Sequence, residues 1–152
     1  MQKVITYLDE NGFFTAPSSV HRHHNWRGGL AQHSLGVYKE AVRRGEELPN
    51  DSLIICALLH DICKARQFYV DRRGKIRERG LHIKGHGWRS VWVLKDCGLQ
   101  LTEDERRAIR WHVNGYKNKG TDEDLDQALT SLLWKTIHKA DKRDAGRGSY
   151  LQ

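Results

Sequence analysis

Proline is nearly absent: the 152 residues contain two, Pro17 and Pro49, both in the first third of the chain. Beyond them nothing fixes φ or removes a backbone donor, so nothing interrupts the later helices. Cysteine is scarce too. Cys56, Cys63 and Cys97 are odd in number, and the first two lie about two turns apart on one helical segment, too distant to bridge. A disulfide framework is excluded. Buried free thiols in a reducing cytosol remain, and the expected location is cytoplasmic. No apolar run approaches the roughly 18 residues of a membrane helix, so no membrane partner is expected. The opening MQKVITYLDENG has no signal-peptide core. Repeats of fixed period and low-complexity tracts are also missing. Charge of one sign is present only modestly: the net +7 fits a polyanionic partner but discriminates little by itself.

The most informative stretch is Ile54-Ile55-Cys56-Ala57-Leu58-Leu59-His60-Asp61. It places two strong metal-ligand side chains next to each other at the end of an apolar run. A core helix does not need them, and leaving them unpaired in a protein interior costs on the order of several kcal/mol. Other candidates follow at intervals of about one helix plus a turn: His33, His60-Asp61, His86, His112 and Asp141, with gaps of 27, 25, 26 and 29 residues. Zinc fingers need short-range pairs, so they are excluded. A helical bundle in which each helix sends one ligand inward fits the spacing. The length predicts one domain over 1–152 with a real core.

Helical spacing runs almost throughout. A first helix is expected over 2–10, with Val4, Ile5 and Leu8 on one face. Gly12 to Gly29 reads as an irregular loop. From Leu30 to about Gly45, Leu30, Ser34, Val37, Tyr38, Ala41 and Val42 share a face, and His33 lies on it. Pro49-Asn50-Asp51 offers an N-cap for the helix carrying Ile54 to Cys63. Phe68-Tyr69-Val70 and Lys75-Ile76-Arg77 around Gly74 predict a small β-hairpin. A helix is expected to resume near Ile83 and carry His86, with Trp88, Val91 and Trp92 as its core face. Thr102-Glu103-Asp104-Glu105 is a capping box for a helix carrying Ala108, Ile109, Trp111 and His112. The last helix is expected to start in Asp122-Glu123-Asp124. It keeps Leu125, Leu129, Leu132, Leu133, Thr136 and Ile137 inward and brings Asp141 near its end.

Three segments together carry a resemblance: Gly28-Gly29-Leu30-Ala31-Gln32-His33, then Leu58-Leu59-His60-Asp61-Ile62-Cys63-Lys64, then Lys139-Ala140-Asp141-Lys142-Arg143-Asp144-Ala145. They resemble the H…HD…D signature of the HD-domain metal-dependent phosphohydrolases, over about His24 to Ala145. The stretch His24 to His33 is similar to the branch found in HD-domain 3′–5′ exoribonucleases and their small stand-alone relatives. One departure is Cys63, where the family often has glycine. The fold the resemblance implies is all-α, an HD-domain helical bundle with a small β-hairpin insertion. The ligands it implies for one metal are His33, His60, Asp61 and Asp141. His86 and His112 match the two extra histidines of a dinuclear branch, in which the Asp61 carboxylate would bridge both ions.

The chemistry of the residues agrees with that reading. Mixed imidazole and carboxylate ligands suit Fe, Mn, Ni, Co or Zn rather than Ca, and the resemblance implies two such divalent transition-metal ions. Two close ions can activate a water and clamp a phosphoryl group. Lys64, one turn after His60, points at the same mouth and can hold a phosphate oxygen. Asp61 and Lys64 are thus the expected catalytic residues. His24, Arg27 and Lys64 are expected against substrate, joined by Arg72, Arg73 and Lys75 of the basic hairpin. His138, one turn before Asp141, reads as a neighbour that supports a ligand. His21 and His23 read as solvated loop, and the tryptophans as core. The expected activity is hydrolysis of a phosphoester, with a phosphate-bearing small molecule or short nucleic acid as partner. Two rivals remain: a diiron oxygenase with the same six ligands, and a nucleotide-binding module without turnover.

Overall fold

The computed structural model describes residues 1–80, 85–113 and 120–148. Two consecutive helices begin where a side chain satisfies their first amides. The Thr102 hydroxyl accepts from the Glu105 amide at 3.2 Å, and the Glu105 carboxylate accepts from the Thr102 amide at 2.8 Å. This is the expected capping box, and it opens one helix at Glu103. The Asp122 carboxylate likewise accepts from the amides of Asp124 and Leu125 and opens the next.

The elements run α1 (Gln2–Glu10), α2 (Gly29–Arg44), α3 (Asn50–Leu59), α4 (Lys64–Gln67), β1 (Phe68–Val70), β2 (Ile76–Glu78), α5 (His86–Asp96), α6 (Glu103–Arg110), α7 (Glu123–Thr130) and α8 (Leu132–Gly148). The fold is all-α apart from one antiparallel hairpin, β1–β2, which pairs Val70 with Ile76. Its turn uses Gly74 at φ 76, a left-handed conformation that glycine adopts without strain. Helix α2 packs on α3 and α8, and α6 packs on α3, α5 and α8. Leu30, Val37, Cys56, Ile62, Ile137 and Ala140 are wholly buried where these helices meet. Burying one Leu or Ile side chain contributes roughly 1.5–3 kcal/mol. No described helix is long and apolar enough to cross a membrane.

Four expectations need correction. Trp88 and Trp92 are not the core face of α5; they are 44% and 60% exposed, while Gly87, Ser90, Val91 and Leu94 are buried. The reason is close approach. A Cβ at Gly87 would lie 2.3 Å from the Arg110 carbonyl oxygen, so the start of α5 lies against the end of α6 with no room for a large side chain between them. Second, the last helix is two. Ser131 is extended (φ −70, ψ 133), and its hydroxyl accepts from the Trp134 amide at 3.3 Å, capping α8. Leu132 is therefore exposed beside that cap. Third, α3 stops at Leu59, and three-residue bonds carry the chain onward: Ile62 amide to Leu59 carbonyl, Lys64 amide to Asp61 carbonyl. Fourth, the helix edges are narrower than expected: Ile5 and Val42 are exposed, and Cys97 is only half-buried. Ile83, the expected start of α5, lies outside the described residues.

One carboxylate ties α6 to α7. Asp124 accepts from Arg106, Arg107, Arg110 and the Trp111 indole. The Arg106 hydrogen bond above all holds its carboxyl well below the ordinary range.

Candidate metal centre

His60 and His112 are presented by the same local device. Each lies just past the end of its helix, and each ring Nδ1 bonds the carbonyl three residues back: Ala57 at 2.9 Å, Ile109 at 2.7 Å. A carbonyl can only accept, so Nδ1 carries a proton and each ring turns its Nε2 inward. The tightened turn after α3 aims His60 and Asp61 at the same point. His33 comes from α2. Its Nδ1 meets Asp144 Oδ2 at 2.8 Å and its Nε2 meets Asp141 Oδ1 at 3.1 Å. His86 opens α5, which Gly85 at φ 87 turns into place.

The structure brings all six expected ligands together. The Nε2 atoms of His33 and His60 are 3.3 Å apart. They lie 3.9 and 3.4 Å from Asp61 Oδ2. On the other side, His86 and His112 Nε2 lie 3.6 and 3.5 Å from Asp61 Oδ1. Asp61 thus faces a different histidine pair with each oxygen. The two groups His33-His60-Asp61 and Asp61-His86-His112 each keep their ligand atoms within 4.8 Å of one another. Asp61 Oδ1 is buried with no hydrogen-bond partner among the described residues. Such an oxygen is costly unless something binds it, and the donor set suits a divalent metal. The two sides differ in depth. The His33 and His60 side chains are 0% exposed and His112 is 1%, but His86 is 28% exposed.

The electrostatics follow from this crowding. Burial would lower the His33 pKa, but hydrogen bonds from the ring to Asp141 and Asp144 push it up to about 9. Burial would raise Asp61, but Lys64 and His60 hold it well below the usual carboxylate range. Lys64 Nζ is 2.7 Å from Asp61 Oδ2. Burial pushes His86 down to about 3.

A cavity of about 420 Å³ opens beside the centre, lined by Lys64, His86, Ser18, Ser19, His21 and Arg22, among others. The other residues expected against substrate are elsewhere. His24 is 3% exposed and sits behind His33, its Nε2 3.4 Å from Asp144. Arg27 lines a separate cleft with Arg79. Arg72, Arg73 and Lys75 are exposed at the hairpin tip, and none of them lines the cavity beside Lys64.

Sequence reasoning missed three contributors. Asp144 is buried and steadies His33. Its signal is a pair of spacings: Asp144 stands one turn after Asp141, and Gly36 follows His33 by three. A Cβ at Gly36 would lie 1.9 Å from Asp144 Oδ1, so the glycine makes room for the carboxylate. The 18–22 loop was the second. Its serines fold it back, Ser18 and Ser19 Oγ donating to the His23 carbonyl at 2.8 and 3.0 Å. His23 was the third. Its ring centroid is 5.0 Å from that of His33, and burial pushes its pKa down to about 4. His138 packs beside the same cluster: its Nδ1 bonds the His112 backbone carbonyl.

Known proteins extend the reading. The family model described as HD domain matches residues 30–146. The dihydroneopterin 2′,3′-cyclic phosphate phosphodiesterase of Methanocaldococcus jannaschii is 40% identical over 57 residues, which cover 32% of this chain and 23% of that protein. This chain therefore spans about a quarter of that relative's length. No solved structure matches. The family match starts at Leu30, just before His33, and ends after Asp144, so it takes in His33, His60, Asp61, His86, His112 and Asp141; the chain belongs to the HD domain family.

Proposed function

We propose that this protein hydrolyses a small phosphoester at a dinuclear metal site, with a cyclic phosphodiester or nucleotide as the first substrate class. One observation carries the proposal: the two Asp61 oxygens face different histidine pairs. On this reading His33, His60, Asp61 and Asp141 hold one ion, and Asp61, His86 and His112 hold the other. When bound, the ions supply Lewis acidity and lower the pKa of water. The chain supplies the rest. Asp141 and Asp144 fix the His33 ring, and the Ala57 and Ile109 carbonyls fix those of His60 and His112. Lys64 brings a fixed positive charge to the cavity wall and can neutralise a phosphate oxygen there. The cavity volume, about 420 Å³, suits one molecule of nucleotide size better than a long strand. The relative in M. jannaschii, named for a small 2′,3′-cyclic phosphate, points the same way.

The test is a panel of cyclic phosphodiesters, mononucleotides and short oligonucleotides. It is run on protein loaded with Mn, Ni, Co, Fe or Zn, and dioxygen is followed in parallel. Hydrolysis without oxygen consumption is expected. Substrate-dependent oxygen uptake by a diiron form, with no phosphoester cleaved, would move the protein to the oxygenase class.

A second expectation concerns protons. With a pKa of about 9, His33 is protonated in metal-free protein at pH 7. Its raised value stabilises the fold fully below the ordinary 6.5, and that contribution fades as pH rises through 9. Ligation through Nε2 needs the opposite state, so loading must expel the proton. Titration with metal in a weak indicator buffer at pH 7 should release protons. It should saturate at two ions per chain, and affinity should rise between pH 7 and 9. Saturation at one ion, or loading without proton release, would contradict this ligand set.

A further inference from the structure

We propose that the cleft between α1, α4 and α5 is a second binding site, separate from the metal centre, for a planar aromatic anion of about nucleotide size. The cleft encloses about 730 Å³, more than the cavity beside Lys64, and within the usual range for small-molecule sites. Three features identify its ligand.

The first is aromatic. Trp88 and Trp92 line the cleft at 44% and 60% exposure. They stand one turn apart on α5 with ring centroids 6.5 Å apart, edge to face. The Arg110 guanidinium covers one face of Trp88 at 4.8 Å and holds it in place. Leaving two indoles in water forgoes a large burial term, and a flat ring laid on Trp92 recovers it.

The second is charge. Arg66 and Arg89 line the same cleft, opposed by Asp96 as the one acidic group among its lining residues. Arg89 is held by its bond to Gln67 Oε1 at 3.3 Å. Arg66 is exposed and projects from α4, the four-residue helix whose Lys64 faces the metal centre. The third is a missing partner. Tyr7 lines the cleft, and its buried hydroxyl has no hydrogen-bond partner among the described residues. A buried O–H left unsatisfied is destabilising, so an acceptor is expected there. An anionic group reaching Tyr7 between two arginines satisfies all three polar groups, while its aromatic part lies on the indoles.

The cleft is a different place from the catalytic cavity. Cys63 lines the cleft, and its Sγ donates at 3.2 Å to the carbonyl of His86, a residue of the other cavity's wall. The catalytic reading is therefore not needed for this site to exist.

The test uses the full, metal-loaded chain and 1-anilinonaphthalene-8-sulfonate, a non-hydrolysable aromatic anion whose fluorescence reports its surroundings. Saturable binding of one equivalent is expected, with energy transfer from tryptophan. Arg66→Glu and Trp92→Ala change exposed side chains and should leave circular dichroism unchanged. Each should weaken binding about tenfold, as expected for loss of one charge-assisted contact or one stacked ring. Tyr7→Phe should weaken it by a smaller factor. His60→Ala, altered in the metal centre, should bind as wild type. Affinity indifferent to both Arg66→Glu and Trp92→Ala would overturn the proposal, because nonspecific adsorption would then explain the signal. So would loss of binding in His60→Ala, which would place the probe at the metals, or the lack of any saturable phase.

Discussion

Asp61→Ala protein should retain neither metal ion and should lose phosphoester hydrolysis by about a thousandfold. The expected size follows from the proposed role. A dinuclear centre supplies several kcal/mol of transition-state stabilisation, and about 1.4 kcal/mol is a factor of ten in rate. Each of the two Asp61 oxygens lies near a different pair of imidazoles, and among the described residues Asp61 is the side chain that the two groups share. His86→Ala and His112→Ala should behave differently, weakening one ion while the other stays. Metal analysis of the three variants, with circular dichroism to confirm folding, separates the cases. Equal loss of metal in all three, with the fold preserved, would show that Asp61 is an ordinary ligand. The substitution has a second effect that must be controlled. It removes a buried carboxylate from four histidines and from Lys64, leaving positive charge without a partner. Asp61→Asn keeps the volume and most of the polarity, and its metal content is the cleaner reading.

Gly87→Ala should lower stability by about 3 kcal/mol, because a methyl group is forced into space that backbone already fills. The clash is with the carbonyl oxygens of Arg110 and Ile109, at 2.3 and 2.6 Å, and neither can rotate away. Relief requires α5 to move off α6. His86 rides on the first residue of α5, and the Ile109 carbonyl is the acceptor that orients His112. The same displacement therefore opens the His86–His112 side of the centre. Chemical denaturation should show the stability loss. Metal titration should show one ion weakened far more than the other, and the His33–His60 side should be spared. A variant with wild-type stability and two tight ions would mean that the helices tolerate wider separation than their packing implies.

Much of the candidate site was legible because a metal centre would call for residue types that a core does not otherwise use. His33, His60, Asp61, His86, His112 and Asp141 stood out by chemistry and by their regular spacing, and all six converge. The capping box at Thr102 and the turn at Gly74 were equally readable, since each is set by two or three neighbouring residues. What escaped detection depends on distance in space. Apolar periodicity assigned Trp88 and Trp92 to the core because it counts hydrophobicity without asking how much room the facing helix leaves. Gly87 and Ser90 held that information, but only as small size. Ser131 was overlooked because leucines on both sides continue the helical spacing across it, and a serine cap is a weak signal within such a run. Asp144 escapes because a carboxylate that orients a histidine ring has no composition signature. The basic hairpin was the most visible feature of the middle of the chain. Its tip charges nonetheless lie away from the cavity beside Lys64, whose loop wall comes from the plain Ser18–Arg22 segment.

The unequal depth of the two histidine pairs has a consequence for occupancy over time. His33 and His60 are sealed from water, while more than a quarter of the His86 side chain reaches it through the cavity. On the proposed ligand set, an ion on the His86 side can shed its ligands stepwise toward solvent. An ion on the His33 side leaves only after the surrounding helices loosen, a local opening governed by the stability of the core. Residence times on the two sides should then differ widely. A chain filled with one metal and briefly exposed to another would exchange its outer position first, and mixed-metal centres become preparable in a defined order.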